Sequence, residues 1–236
     1  MEVIERVLRE IDGGKVLDVA TQEGHFVQIL MENLKSYTEI VGIDINKKAI
    51  ETAWDNVSRE NVRFLVMDAE QLDFENEHFD TVTISASLHH LADIRRALVE
   101  MMRVLKTGGR FILVEMHEDA RTKAARTFVS LHQWVAEVDS ALGYLHKKTL
   151  ARQEFVNYVT ALGLTQLGYY DYSDKDSDPK DEARIEQLES LIARTIQRAE
   201  NAKNFLPLKR RGEELRQRLH AVGAQREPIL MVVGKK

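Results

Sequence analysis

The chain has 236 residues, of which 44% are hydrophobic and 30% are charged, and its formal net charge is −5. These values are ordinary for a soluble protein with one sizeable α/β core, and the negative charge gives no general attraction to nucleic acid or to an anionic membrane. Cysteine is absent, which excludes disulfides, a cysteine nucleophile and a cysteine-ligated cluster.

The start of the chain predicts a short amphipathic helix over Glu2–Ile11, which Gly13 and Gly14 end. Its acidic residues and helical periodicity are not typical of a secretory signal. No apolar run in the sequence reaches the length that a bilayer requires, so we expect no membrane span. A cytoplasmic location is therefore the expectation.

A strand, a turn and a helix follow. The apolar run Val16–Ala20 predicts the strand. Thr21–Gly24 break this run, and apolar residues then recur at helical spacing from Phe26 to Leu34. The turn contains one glycine, whereas a loop that seats a pyrophosphate on a helix N-terminus needs several. The stretch favours a ligand without phosphates.

A second strand, Ile40–Ile43, follows this helix and closes on Asp44. Asp44 lies 20 positions after Gly24, which is the span expected when one helix returns the chain to a parallel strand. An acid at the tip of the second strand can accept both hydroxyl hydrogens of a ribose. The stretch therefore predicts a site for a nucleoside.

Two segments, VLDVATQEGHF from Val16 and VGIDIN from Val41, resemble the first two motifs of class I methyltransferases that use S-adenosylmethionine (SAM). The first motif of that family has an acid followed by Gly-x-Gly-x-Gly, and its three glycine positions are held here by Ala20, Gln22 and Gly24. Gln22 departs from the pattern, because a side chain there would crowd the ligand or require a positive φ.

Asn46 is predicted to cap a helix over Ala49–Val57, and Val62–Val66 predict the third strand. In the resembling family, the acid and the next residue after this strand bind the adenine amino group and a ring nitrogen. Asp68 and Ala69 hold those positions here. The alternative, that Asp68 caps a turn, stays open.

The fourth predicted strand, Phe79–Ile84, leads into Ser85–Leu91, whose sequence is SASLHHL. This segment resembles the fourth motif of small-molecule methyltransferases similar to quinone-biosynthesis enzymes. It differs from the Asn-Pro-Pro-Tyr motif of enzymes that methylate the amino groups of adenine or glutamine, which argues against a nucleic-acid base as substrate. Asp93 is predicted to cap the next helix.

The segment RVLKTGGRFILVE, which begins at Arg103, matches the fifth motif of the family. It predicts a turn at Thr107–Gly109 and the fifth strand over Arg110–Met116. The rest of the chain predicts helices, a polar linker and two more strands. In order, these are helices over His117–Lys148 and Arg152–Leu162, a strand over Leu164–Tyr172, helices over Pro179–Lys203 and Leu206–Val222, and a strand over Pro228–Val233.

The resemblance implies an α/β fold with a Rossmann-like, doubly wound sheet of seven strands, the last of them antiparallel, and a helical insert before that strand. We predict a SAM-binding domain over residues 1–172 and 228–236, in which 117–150 form a helical cap segment. Residues 173–227 are predicted to form a helical hairpin, which is either a lid over the substrate pocket or a dimerisation arm. Both roles stay open, and the second would give a homodimer.

SAM is the cofactor that the resemblance implies, and S-adenosylhomocysteine is then the product. In a parallel sheet, ligands gather at the carboxyl ends of the strands, where these motifs lie. The residues expected around the cofactor are Asp18, Ala20, Thr21, Gln22, Gly24, Phe26, Asp44, Ile45, Asp68, Ala69 and Ser85.

Methyl transfer from a sulfonium is an in-line displacement, so the enzyme mainly aligns donor and acceptor and excludes water. A general base is needed only when the nucleophile starts protonated, and His89 and His90 of the fourth motif are the candidates. The alternative is that one of them packs against the cofactor or hydrogen-bonds a loop carbonyl. The acceptor is expected to be a small molecule.

Three further histidines, His117, His132 and His146, lie between the fifth and sixth strands and are expected to contact the substrate. Three imidazoles near a carboxylate could also bind zinc or iron, but their spacing matches no compact metal motif, so no metal is predicted. Purely structural roles are the third interpretation.

The second helix of the insert is basic, which leaves RNA methylation as an alternative function. Its basic residues alternate with Glu213 and Glu214 and no stacking aromatics accompany them, which favours a solvated helix face and no nucleic-acid partner. A SAM-binding protein without turnover is the other alternative, and Gln22 keeps it open.

Overall fold

The computed structural model describes residues 2–236. Its strands are β1 (Lys15–Val19), β2 (Glu39–Asp44), β3 (Val62–Val66), β4 (Phe79–Ser85), β5 (Leu105–Met116), β6 (Thr165–Tyr172) and β7 (Ile229–Lys235). They form one sheet in the order β3-β2-β1-β4-β5-β7-β6. Strands β1 to β5 pair in parallel, and the last strand is antiparallel. The predicted fold class is confirmed.

The helices are α1 (Glu2–Leu8), α2 (His25–Asn33), α3 (Lys47–Asn56), α4 (Ile94–Val104), α5 (Lys123–Ala141), α6 (Arg152–Thr160), α7 (Glu182–Ala199) and α8 (Phe205–Val222), and a 3-10 helix spans Leu88–His90. The two predicted caps are confirmed. Asn46 accepts hydrogen bonds from the first amides of α3, and Asp93 accepts one from α4. Over residues 2–236, no helix combines the length and apolarity needed to cross a membrane.

Strand β5 begins earlier than the sequence indicates. Thr107–Gly109, predicted as a turn, lie inside this strand, which starts at Leu105. Gly108 has a φ of 79°, and the β4–β5 register shifts between Phe79 and Thr81. The prediction of a separate turn was wrong, because an irregularity in the pairing lets the strand continue through the glycines.

The helix predicted from His117 begins only at Lys123, where the Thr122 side chain caps α5. The residues before it find hydrogen-bond partners away from any helix, as the Glu118 amide does in donating to the Leu150 carbonyl at 3.1 Å. Helices α1 and α7 are likewise shorter at their ends than predicted.

The described chain divides into two compact units. Unit 1 comprises the residues up to Glu115, 154–172 and 230–236. Apolar side chains of four of its strands are fully buried: Val16, Leu17, Val19, Ile40, Val41, Ile43, Val82, Ile84, Phe111, Ile112 and Leu113. Unit 1 therefore has its own core, and it carries all of the residues that the sequence assigned to the cofactor.

Unit 2 comprises residues 116–153 and 173–229, and helices α5, α7 and α8 pack together in it. Trp134 of α5 is fully buried, and its indole N–H donates to the Leu208 carbonyl at 2.9 Å. Gly212 of α8 lies against the same ring, since a Cβ there would be 2.5 Å from an indole carbon of Trp134. The predicted cap segment thus supplies a helix that packs on both helices of the predicted insert.

Candidate cofactor site

The loop between β1 and α2 has a positive φ at every second residue. The φ values are 55° at Ala20, 51° at Gln22 and 81° at Gly24. These are the three glycine positions of the family's first motif, so the left-handed backbone is kept although two of the residues carry side chains. That conformation costs an L-residue on the order of 1 kcal/mol, which is strain held in this loop.

Asp18, at the end of β1, is buried and anchors the loop. Its carboxylate accepts hydrogen bonds from the hydroxyls of Thr21 at 2.6 Å and Thr83 at 2.7 Å. Burial raises the pKa of Asp18 to about 6, and the two hydroxyl donors act in the opposite direction. The Thr21 amide donates to the Ile43 carbonyl at 2.8 Å, which ties the loop to β2 as well.

Asp44, at the end of β2, joins two loops. Its Oδ2 accepts from the Gln22 amide at 2.9 Å, and its Oδ1 accepts from the Asn46 amide at 2.8 Å. Each carboxylate oxygen can accept a second hydrogen bond, so these contacts are compatible with a diol held by the same carboxylate. Asp44 therefore both shapes the β1–α2 loop and stands at its rim.

Exposed apolar side chains flank Asp44. Ile45 is 70% exposed, and Val66, which is the register partner of Asp44 on β3, is 52% exposed. Apolar side chains with a convergent polar group are typical of small-molecule sites. Phe26, which follows the loop in α2, is buried, and its contact with the cofactor stays a prediction.

Asp68 and Ala69 form a turn after β3. The Asp68 Oδ1 accepts from the Glu70 amide at 2.9 Å, and its backbone carbonyl accepts from Gln71 at 3.1 Å. The turn-capping bond weighed from the sequence is therefore present. The adenine-binding role of Asp68 and Ala69 stays a prediction, because one hydrogen bond does not use up the acceptor capacity of a carboxylate.

Glu115 organises the segment that carries the two candidate bases. This carboxyl group is fully buried at the end of β5, and its Oε1 accepts from the Ser87 and Leu88 amides at 2.7 and 2.8 Å. Its Oε2 lies 3.8 Å from Nδ1 of His89. Burial raises the pKa of Glu115 to about 7, against the effect of the two amides and of the His90 charge.

The 3-10 helix is thereby connected to both β5 and the β1–α2 loop. The Ser87 hydroxyl lies within hydrogen-bond distance of two carbonyl oxygens, that of Ser85 at 2.7 Å and that of Ala20 at 3.1 Å. His89 is buried, and its ring centroid lies 4.3 Å from that of His90. No role was predicted for Glu115 from the sequence. The available signal was an acid that ends the apolar run Phe111–Val114, as Asp44 ends the run Ile40–Ile43.

The three histidines expected to contact substrate lie in unit 2. His132 and His146 come together, with 3.3 Å between their Nε2 atoms, and Nδ1 of His146 lies 2.7 Å from Oδ2 of Asp139. Nδ1 of His117 lies 3.2 Å from Oδ2 of Asp119. Their contact with a substrate stays a prediction.

The chain is similar in sequence to known methyltransferases. Residues 17–113 match the family model described as a methyltransferase domain. The uncharacterized methyltransferase YcgJ of Bacillus subtilis is 36% identical over 104 residues, which are 43% of this chain and 40% of that protein. The ubiquinone/menaquinone biosynthesis C-methyltransferase of Idiomarina loihiensis is 36% identical over 107 residues, 44% of this chain and 43% of that protein.

The crystal structure of YcgJ from Bacillus subtilis superposes with a TM-score of 0.62 at 22% identity and covers 100% of this chain and 97% of that one, which shows a shared fold. In the sequence alignments, the chain spans less than half the length of these curated relatives. The sheet order is that of the Rossmann-like methyltransferase fold. Residues 17–113 are similar to the methyltransferase domain of class I SAM-dependent enzymes.

Proposed function

We propose that this protein transfers a methyl group from SAM to a small-molecule acceptor and releases S-adenosylhomocysteine. The observation that carries the proposal is the hydrogen bond from the Gln22 amide to Asp44, because it joins a left-handed β1–α2 loop to an acid at the tip of β2. The matching domain model and the names of the relatives support the same activity.

The residues of unit 1 fit SAM better than they fit a dinucleotide. Asp44 suits the hydroxyls of a ribose, while Ile45 and Val66 offer apolar surface to an adenine face. The loop keeps one glycine, Gly24, so it lacks the glycine-rich turn on which a pyrophosphate is seated. When bound, SAM supplies an electrophilic methyl group on a sulfonium sulfur.

In the reaction, the chain holds SAM and the acceptor, orients them and, where the acceptor starts protonated, removes a proton from it. His89 and His90 are the proposed acceptors of that proton. The amides at the start of their 3-10 helix are bound by Glu115, so β5 fixes where the two imidazoles stand. Alignment of this kind can supply roughly 7–11 kcal/mol of the barrier to an in-line displacement.

For the acceptor, quinone precursors are the first class to assay. The relative from Idiomarina loihiensis is named for C-methylation in ubiquinone and menaquinone biosynthesis. The segment SASLHHL resembles the fourth motif of small-molecule enzymes of that type. Neither feature favours a macromolecular acceptor.

Calorimetric titration with SAM and with S-adenosylhomocysteine tests cofactor binding directly. We expect the wild-type protein to bind both, and Asp44→Asn to weaken binding at least about tenfold, because an amide has lost the charge and one of the two acceptor oxygens. Asp55→Asn, an exposed acid on α3, is the matched control and is expected to bind as wild type does. Wild-type protein that binds neither nucleoside would rule the proposal out.

A labelled-methyl assay on fractionated metabolites then separates turnover from binding alone. Gln22 is the observation that favours a binding protein without turnover, since its side chain stands at a strained position of the loop. Transfer of label to a small molecule supports the enzyme. Tight nucleoside binding without transfer to any fraction supports the binding protein.

RNA methylation has less support. Two basic side chains of α8 are paired with acids within unit 2, where Arg216 lies 3.0 Å from Glu189 and Arg211 lies 3.5 Å from Glu137. Charges neutralised in this way contribute little to phosphate binding. Strong, salt-dependent RNA binding would reverse this ranking.

A further inference from the structure

Unit 2 brings two imidazoles to one point. His132 lies on α5, and His146 lies in the loop that follows this helix. Nε2 of His132 and Nε2 of His146 are 3.3 Å apart, and the two rings stand at 79° to each other. Two atoms of a kind that commonly binds transition metals in proteins therefore lie close together.

The position of His146 is fixed by its other contacts. Its Nδ1 lies 2.7 Å from Oδ2 of Asp139, and its backbone carbonyl accepts a hydrogen bond from the Ser140 hydroxyl at 2.9 Å. The Tyr144 amide donates to the Asp139 carbonyl at 2.9 Å, which holds the intervening loop. His146 is 8% exposed, so its ring is packed as well as hydrogen-bonded.

Asp139 favours one tautomer of the His146 imidazole. The other oxygen of Asp139 pairs with Arg198 of α7, which favours the carboxylate. A carboxylate can only accept, so Nδ1 of His146 is the donor in this contact, and a neutral imidazole in that tautomer has its lone pair on Nε2. A carboxylate behind the distal nitrogen of an imidazole is the usual second shell of a metal-binding histidine.

The spacing of the two nitrogens is compatible with tetrahedral zinc. Zinc binds imidazole nitrogen at about 2.0–2.1 Å with tetrahedral geometry, which separates two such ligands by roughly 3.3–3.4 Å. The 3.3 Å between His132 and His146 falls at this value. The absence of cysteine restricts the ligands of such a site to nitrogen and oxygen.

Unit 2 has an open cleft of about 500 Å³, which is lined by His146 together with Glu137, Ser140 and Lys148. One of the two imidazoles therefore borders space that solvent can reach. The site thus has two ligands, an orienting carboxylate and a cleft beside one of the ligands.

We propose that His132 and His146 bind one zinc ion through their Nε2 atoms, with Asp139 orienting His146. The two imidazoles supply two ligands, and further protein donors or water complete the coordination. The proposal is independent of methyl transfer, because it concerns metal binding alone. The competing interpretation is a direct hydrogen bond between two neutral imidazoles that never takes up metal.

Zinc titration of the full-length, chelator-treated protein decides between these two interpretations. We expect one equivalent to bind to wild type, His132→Ala and His146→Ala each to lower the affinity at least about tenfold, and Asp139→Asn to lower it by about 10–100-fold. His220→Ala removes an exposed histidine of the same unit and should leave the affinity unchanged. Equal affinity in wild type and His132→Ala would overturn the proposal, as would a wild type that binds no zinc.

A spectroscopic readout covers the case in which a histidine variant fails to fold. Copper(II) added to the wild-type protein reports its nitrogen ligands by electron paramagnetic resonance. Hyperfine coupling from at least two imidazole nitrogens, together with displacement of the copper by excess zinc, supports the site. A spectrum without imidazole coupling overturns it.

Discussion

At Gln22 the backbone has a φ of 51°, in a region that glycine enters without steric cost. The sequence indicated a departure from the glycine-rich motif at this position and left the shape of the loop open. The structure retains the left-handed shape, held by the hydrogen bond from the Gln22 amide to Asp44. A motif can thus keep its geometry through its hydrogen bonds when the residue that usually permits it is absent.

Gln22→Gly should stabilise the protein. Removing the side chain relieves the steric cost of the left-handed backbone conformation, which is about 1–2 kcal/mol. Glycine also makes the unfolded chain more flexible, which lowers the stability by about 0.5–1 kcal/mol. We expect a net gain of about 0.5–1 kcal/mol in the free energy of unfolding by urea. Gln28→Gly, in the middle of α2, is the control with the opposite sign. A loss of stability in Gln22→Gly would show that the backbone at Gln22 is not strained.

Glu115→Gln should change how stability depends on pH. Burial raises the folded-state pKa of Glu115 from 4.5 to about 7, so its contribution is complete below about pH 4.5 and is lost as pH rises through 7. Glutamine cannot ionise and still offers an oxygen to the Ser87 and Leu88 amides. Between pH 5 and pH 8 we expect the free energy of unfolding of the wild type to fall by an amount on the order of 1–3 kcal/mol that the variant does not lose.

Urea unfolding at several pH values measures this difference. Glu51→Gln, an exposed acid on α3, serves as the control and should keep the wild-type slope. An identical pH dependence in wild type and Glu115→Gln would show that this buried carboxyl is not the group responsible.

Among the elements, those set by local chemistry were predicted well. The caps at Asn46 and Asp93 follow from side chains that bond to their own helix, and both are present. The irregular start of β5 and the late start of α5 depend on partners far away in the chain, such as Leu150 for Glu118. Periodicity carries no information about such partners.

Gly212→Ala tests how closely α8 packs on α5. The added methyl group would lie 2.5 Å from the Trp134 ring. A buried indole in a close-packed core has little space in which to move away. Overpacking costs about 1–3 kcal/mol and outweighs the gain in helix propensity of roughly 1 kcal/mol, so we expect a net loss of about 1–2 kcal/mol. Thermal unfolding measures it, with Gln217→Ala on the exposed side of α8 as the control. An unchanged or raised melting temperature in Gly212→Ala would show that the packing can relax.

For the whole molecule, the sequence predicted the sheet far better than the helices outside it. The motifs between residues 16 and 115 specify the first five strands of unit 1, whereas helices α5, α7 and α8 carry only amphipathic patterns, which do not determine their packing partners. The apolar faces of α7 and α8 suggested a dimerisation arm, because they needed cover. Within unit 2, Leu131, Trp134 and Val138 of α5 belong to the cluster that covers them. Most of the apolar face of the insert is thus covered within unit 2, and homodimerisation through the insert stays a prediction.

The two tryptophans of the chain lie one in each unit. Trp54 on α3 is 44% exposed and meets Phe64 edge to face, whereas Trp134 is fully enclosed and hydrogen-bonded through its indole N–H. Their fluorescence should therefore differ in wavelength and in access to quenchers. Each unit therefore contains its own fluorescent probe, so ligand-induced changes in either unit can be followed without an added label.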